Sequence, residues 1–229
     1  MDNLVLAPIP TANPMVRSSL HRILSSAFQY PTPEYFLHYQ NGDYLSELWD
    51  NLAMLPHLVN LMNQEARNKD DIQRNLQQTG LEDFQAAYMG TFDVGAPSPP
   101  CPAYEGVYLK GVERSGHLIR LLDFYQHFGL KMDPAEGKRE LADHLRAELE
   151  FLHFLCFKEA QARDEDKEEL LQGYLLAQRD FLKHHLTGWL PAFQARLEAH
   201  CPLPFYSWLA KLLIRITHLE LDYLNNTLD

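Results

Sequence analysis

The chain has 229 residues, 46% of them hydrophobic, with 31 acidic side chains against 20 basic ones and a formal net charge of −11 at pH 7. Length and apolar content suit a protein that buries a substantial core, and they argue against intrinsic disorder. The acidic balance argues against nucleic acid as a partner, which calls for a basic footprint, and no uninterrupted apolar stretch is long enough to insert stably in a membrane.

Met1-Asp-Asn-Leu-Val-Leu-Ala-Pro8 carries no basic stretch ahead of a long apolar run, so no secretory signal is expected. Asn13-Pro14 reads as a helix start, a capping side chain followed by proline at the first helical position. Leu20, Ile23, Leu24, Ala27 and Phe28 continue at helical spacing until Pro31. Thr32-Pro33-Glu34 restarts a short helix, and Asn41-Gly42-Asp43 breaks it. Leu45, Leu48, Trp49 and Leu52 form a third stripe, stopped near Pro56, and Leu58, Leu61 and Met62 a fourth. Residues 68–79 are polar and are expected to be a loop with a weak helix around Ile72 and Leu76.

Leu81, Phe84, Ala87, Tyr88 and Thr91 form a helix that runs out at Phe92-Asp93-Val94-Gly95. Pro97, Pro99, Pro100 and Pro102 follow, a density that neither a helix nor a central strand accommodates. Helical spacing returns with Leu118, Leu121, Leu122 and Tyr125, ended by Gly129. Asp133-Pro134 opens the approach to residues 140–152. That stretch predicts an amphipathic helix with Leu141, Leu145, Leu149 and Leu152 in one row and Glu140, His144 and Glu148 in another, with Asp143 near its start. Beyond the charged turn 163–169, two further stripes run from Leu170 to Leu182 and from Leu186 to Leu197. Pro202 and Pro204 separate them from a long last helix, Phe205 to Tyr223. No alternating strand pattern occurs, so the fold class is all-α: a single-domain helical bundle of about nine helices over residues 1–229.

Motifs for chemistry are sparse. There is no glycine-rich phosphate loop and no G-x-S-x-G elbow. Cys101, Cys156 and Cys201 are widely spaced and form no CxxC pair, which fits a reducing compartment such as the cytoplasm. Glu150-x-x-His153 is a single copy of a pair that di-iron bundles use twice. His144 and Glu148, four apart, make two ligands at most. Asp143-His144 has the form of a phosphohydrolase dyad, for which His117 and His127 would have to serve as upstream ligands. His184 and His185 point about 100° apart on a helix and make no bidentate pair. A metal-dependent helical-bundle enzyme using His144, Glu148, Glu150 and His153 is the alternative reading. The preferred expectation is no catalytic residue, no metal and no cofactor. Out of context the polar residues at 140–148 read as a solvated face of a core helix; beside a neighbouring loop, Asp143 and His144 would serve equally to pin it or to line a binding groove.

Three ordered blocks carry a resemblance: Tyr88-Met-Gly-Thr-Phe92-Asp93; the proline-rich segment ending Tyr104-Glu105-Gly-Val-Tyr108; and Glu140-Leu-Ala-Asp143-His144-Leu145 followed by Glu148-Leu149-Glu150-Phe151. Together they resemble the TorD/DmsD/NarJ family of molybdoenzyme maturation chaperones. The blocks span roughly residues 81 to 155, and His185-Leu-Thr-Gly-Trp189-Leu-Pro extends them. The family's usual E-x-P-D-H entrance carries Ala142 here in place of proline. The resemblance implies a non-enzymatic, cytoplasmic chaperone. Its partners would be the apo catalytic subunit of a molybdopterin oxidoreductase of the DMSO-reductase class and that subunit's N-terminal leader peptide. It would assist cofactor insertion and delay twin-arginine export. The implied leader-binding residues are Tyr88, Phe92, Tyr104, Glu105, Tyr108, Glu140, Asp143, His144 and Glu148, the acids facing the leader's arginines and the aromatics its apolar part. The resemblance also implies either a monomer or a domain-swapped dimer, with 94–110 as the hinge.

Overall fold

The computed structural model describes residues 12–111, 113–130 and 141–229. Ten α-helices run through them: α1 Pro14–Ser26, α2 Pro33–Asn41, α3 Asp43–Ala53, α4 Val59–Gln78, α5 Leu81–Tyr88, α6 Arg114–His127, α7 Leu145–Asp164, α8 Glu168–Phe181, α9 Thr187–His200 and α10 Pro204–Leu228. A π-helical turn, Leu182–Leu186, joins α8 to α9 without a break. No strand occurs among the described residues; the one β-type pairing is an isolated antiparallel bridge between Tyr104 and His144. The all-α class read from helical spacing is therefore the observed one, with α8 and α9 fused into one rod.

Local signals set most boundaries. Asn13 caps α1, its side chain accepting the Met15 N–H at 2.9 Å. Thr32 caps α2. Gly42, at φ +88°, turns the chain between α2 and α3 in a conformation that disfavours side chains. Gly129, at φ +90°, follows α6.

Two expectations need correction. Residues 68–79 are not a loop: α4 continues to Gln78. Leu61, Ile72 and Leu76 are its buried residues, a narrow stripe sufficient to hold a helix that is polar elsewhere and contains no glycine or proline. The helix expected over 140–152 begins only at Leu145, with His144 as its cap in an extended conformation. Leu141 is thus outside it and 47% exposed. Glu140 and Asp133-Pro134 lie outside the described residues.

α1 lies along α7, which packs on α8; α10 packs on α9, α8 and α4. Buried side chains from α1 through α10 form one contiguous apolar cluster, within which Phe28, Phe92, Phe193 and Tyr206 make mutual edge and tilted contacts. A buried ionic knot ties the long helices together. Arg17 on α1 reaches Glu159 on α7 at 2.9 Å and Glu220 on α10 at 2.7 Å. His57 Nε2 meets the other Glu220 oxygen at 2.7 Å, and Gln178 on α8 donates to Glu159 at 3.0 Å. Burial opposes charge on Glu220, but Arg17 overrides it and holds that carboxyl well below its usual range. Removing one member would strand its partners' charges in the interior, typically a loss of about 3–5 kcal/mol.

Candidate functional site

The site forms where the proline-rich segment crosses the entrance of α7. After α5 the chain makes a π-helical turn, Met89–Asp93, and then runs irregularly to Tyr104. The Cys101 N–H donates to the Thr91 carbonyl at 2.9 Å, holding the segment back against the helix it left. Cys101, Pro102 and Ala103 are buried.

From Ala103 the segment pairs with residues 143–145. The Leu145 N–H donates to the Ala103 carbonyl at 2.9 Å, and the Glu105 N–H to the Asp143 carbonyl at 2.8 Å. A short 3-10 turn, Glu105–Val107, follows. There the Gly106 N–H donates to Asp143 Oδ2 at 3.2 Å. A Cβ on Gly106 would lie 2.8 Å from that oxygen and 3.1 Å from Arg114 Cγ, so the close approach requires glycine. Arg114, at the start of α6, brings Nε to 3.5 Å from Asp143 Oδ2 and stacks its guanidinium over the Tyr104 ring at 5.3 Å. The Tyr104 ring meets His144 edge-on at 4.7 Å.

His144 caps α7 through Nδ1, which accepts the Arg146 N–H at 3.2 Å. This fixes the tautomer with the proton on Nε2. Burial, helped by the Arg146 charge, lowers its pKa to about 3. The residues before it form a tight turn closed by the His144 N–H on the Leu141 carbonyl at 2.9 Å. The Ala142 carbonyl accepts the Tyr125 hydroxyl at 2.9 Å.

Behind this seam sits a second layer. Glu105 is fully buried and accepts from His117 Nε2 on α6 at 2.7 Å and from His185 Nδ1, in the π turn between α8 and α9, at 3.0 Å. Glu148 on α7 faces Glu105. Its Oε2 accepts the Trp189 indole N–H at 3.1 Å, and burial, reinforced by the Glu105 charge, raises its pKa well above the usual carboxyl range. Tyr108 stacks on Trp189 at 5.4 Å, under the Arg196 guanidinium, and donates its hydroxyl to the Pro102 carbonyl.

The structure therefore brings together Tyr104, Glu105, Tyr108, Asp143, His144 and Glu148. It does not bring in Tyr88 and Phe92 as an open groove. Both are buried: Tyr88 donates its hydroxyl to the Phe28 carbonyl at 2.9 Å, and Phe92 packs on Tyr206. The acids face inward as well: Asp143 accepts a turn N–H, Glu105 two imidazoles and Glu148 the Trp189 indole. Glu140 falls outside the described residues. The four residues of the enzyme alternative do not converge either: His153 turns toward α1 and bonds Ser18. Arg114, His117, His185 and Trp189 are site residues the sequence reading did not place among the leader-binding set. Two of them stand in the 185–191 block that carries part of the resemblance.

A match to the family described as nitrate reductase delta subunit spans residues 58–195. The chain belongs to this family of TorD- and NarJ-type assembly chaperones. It is 34% identical to the perchlorate reductase assembly chaperone protein of Dechloromonas aromatica (strain RCB) over 210 residues, 91% of this chain and 89% of the relative. It is 42% identical to the chlorate reductase assembly chaperone protein of Ideonella dechloratans over 52% of this chain and 60% of the relative. The chaperone protein TorD of Vibrio parahaemolyticus is 26% identical over 79% of this chain and 80% of that protein. These are chaperones and not catalysts, and the chain is a chaperone and not an enzyme. No helix among the described residues is long and apolar enough to cross a membrane.

Proposed function

We propose that this chain is a cytoplasmic, system-specific chaperone for the apo catalytic subunit of a molybdopterin oxidoreductase of the DMSO-reductase class. It holds that subunit during cofactor insertion and, through the N-terminal leader, delays twin-arginine export. The observation that carries the reading is the near full-length similarity to the perchlorate reductase assembly chaperone.

The geometry refines how a leader would be met. The acids at the seam are engaged internally, so attraction for a basic leader comes from the net charge of −11 spread over the surface. The apolar part of the leader has Tyr104 and the exposed side chains Val107, Ile119, Leu122 and Leu141 available on α6 and the segments flanking it. Glu105 ties that surface to the seam through His117, and Asp143 and His144 hold the backbone there, whereas Tyr88 and Phe92 pack in the core on Phe28 and Tyr206.

Calorimetry with a synthetic leader peptide at several salt concentrations tests this. Surface charge attraction is screened over about 8 Å at physiological ionic strength, so salt should weaken binding, mainly by slowing association. Replacing the leader's arginines should remove the salt dependence; replacing its leucines should remove the affinity that survives salt. Failure of the leader to bind at any salt would place recognition in the folded body of the client.

A further inference from the structure

We infer that Glu105, His117 and His185 form a binding site for a zinc-class divalent ion, beside the buried carboxyl of Glu148.

One ligand atom from each of Glu105, His117 and His185 lies within 4.8 Å of the others. Ligand atoms bonded at about 2.0–2.2 Å to a tetrahedral ion stand roughly 3.3–3.5 Å apart. His117 Nε2 and His185 Nδ1 are 2.7 and 3.0 Å from Glu105 Oε2, so the cluster needs to open by about 0.3–0.8 Å on the carboxylate side. The three residues come from three segments: the 3-10 turn, α6 and the π turn before α9. Glu105 is fully buried and the imidazoles are largely so, which shields the position from bulk water.

Glu148 supplies the independent observation. It is fully buried, its Oε2 is held by Trp189, and its Oε1 meets no hydrogen-bond donor among the described residues. It faces Glu105, so two interior carboxyls stand against one another, an arrangement that needs a proton or a cation between them. A divalent ion neutralises both. On binding, each imidazole proton moves to the other ring nitrogen. Two imidazoles with carboxylates favour zinc and its late-transition neighbours over magnesium or calcium, which take all-oxygen sets. The bound ion would staple the proline-rich segment to α6 and the α8–α9 rod at once.

The test uses the full chain stripped with a chelator. Equilibrium dialysis against Zn²⁺, with the metal quantified by mass spectrometry, should give one ion per chain, and thermal unfolding should shift upward with Zn²⁺ but not with Mg²⁺. His185→Gln and His117→Gln should weaken binding by more than the about 10- to 100-fold that outer-shell partners carry, whereas His200→Gln, on the exposed end of α9, should leave it unchanged. His185 is partly exposed, so its variant is the one expected to fold in any case. The wild-type chain loaded with Co²⁺ should show the intense visible bands of a four-coordinate ion, a readout that needs no variant. Less than one ion per chain at stoichiometric zinc, equal binding by the variants, or a six-coordinate Co²⁺ spectrum overturns the proposal.

Discussion

Tyr104 and His144 face each other across a single antiparallel bridge, with their rings in edge contact at 4.7 Å. That pair fastens an irregular, proline-rich segment to the N-cap of a 20-residue helix. The backbone bonds on either side, from Leu145 to Ala103 and from Glu105 to Asp143, make the seam a fragment of sheet in a helical protein. The exposed surface proposed for a client is therefore only as ordered as the seam beneath it, and variants at the seam separate order from contact.

Gly106→Ala should break the seam. The added methyl would sit 2.8 Å from Asp143 Oδ2, and the neighbours on both sides are held. Overpacking of this kind costs about 1–3 kcal/mol. A denaturant midpoint lowered accordingly, with a weakened response to leader peptide, is the expected result; unchanged stability would mean that the seam gives way easily.

Ala142→Pro should act in the opposite direction. Ala142 is the second residue of the turn closed by the His144 N–H on the Leu141 carbonyl, the position where proline is favoured in common turns. The family's usual proline at this place has a physical reason in that geometry. Restricting the unfolded chain should add about 0.4–1 kcal/mol, read as a small rise in melting temperature. A fall would show that Leu141 cannot take the extended conformation proline demands of its predecessor.

Glu148→Gln should stabilise the chelator-treated chain at neutral and alkaline pH. A buried carboxyl whose folded pKa is raised contributes stability below its unfolded value, and that contribution is lost as pH climbs toward the folded one. The loss runs at about 1.4 kcal/mol for each pH unit in that window. Glutamine keeps an oxygen for the Trp189 indole and carries no charge to bury. Chemical unfolding of both proteins from pH 5 to 9 should show a falling limb in the wild type that is flatter in the variant; parallel curves would rule out Glu148 as the source.

On the acid side, His21 and His144 should dominate. Burial lowers their pKa to about 4 and about 3, from an ordinary value near 6.5. A base with a depressed folded pKa takes up its proton more readily when unfolded, so stability is intact above about pH 6.5 and declines as pH falls toward 4 and then 3. Glu220, held low by Arg17, adds to the loss at the acid end. His144→Asn, which can still cap a helix, should remove part of the decline between pH 6 and 4; an unaltered acid limb would assign it to His21 and the ionic knot.

Helices were legible wherever apolar side chains recur three and four apart, as from Phe205 to Tyr223. The second half of α4 was not, because only Ile72 and Leu76 of residues 68–79 are buried and the remainder looks like a loop. The start of α7 was misplaced because histidine is an uncommon cap, so 140–144 appeared to continue the helical rows. Placing Asp143 and His144 beside the proline-rich segment was legible from the ordered motif blocks; the direction in which the acids point was not. Charged residues are mostly exposed, and nothing local signals that Glu105 turns inward to His117, twelve residues on, and His185, eighty residues on. The same distance in sequence hid the two histidines as a pair, since His117 was weighed beside His127 and His185 beside His184.

The π turn at Leu182–Leu186 keeps the phase of everything after it. An α-helix advances about 100° per residue, and a π turn accommodates one residue more than a regular turn would. Excising that extra residue would regularise the rod and locally favour it, and would leave α9 close to its present orientation, with Trp189 still on Glu148 and Tyr108 and Phe193 still on Phe28. What it would disturb is the turn itself, which holds His185 against Glu105. A lineage that lost the extra residue would keep its helical content and its buried face, yet give up the widened backbone that carries this imidazole.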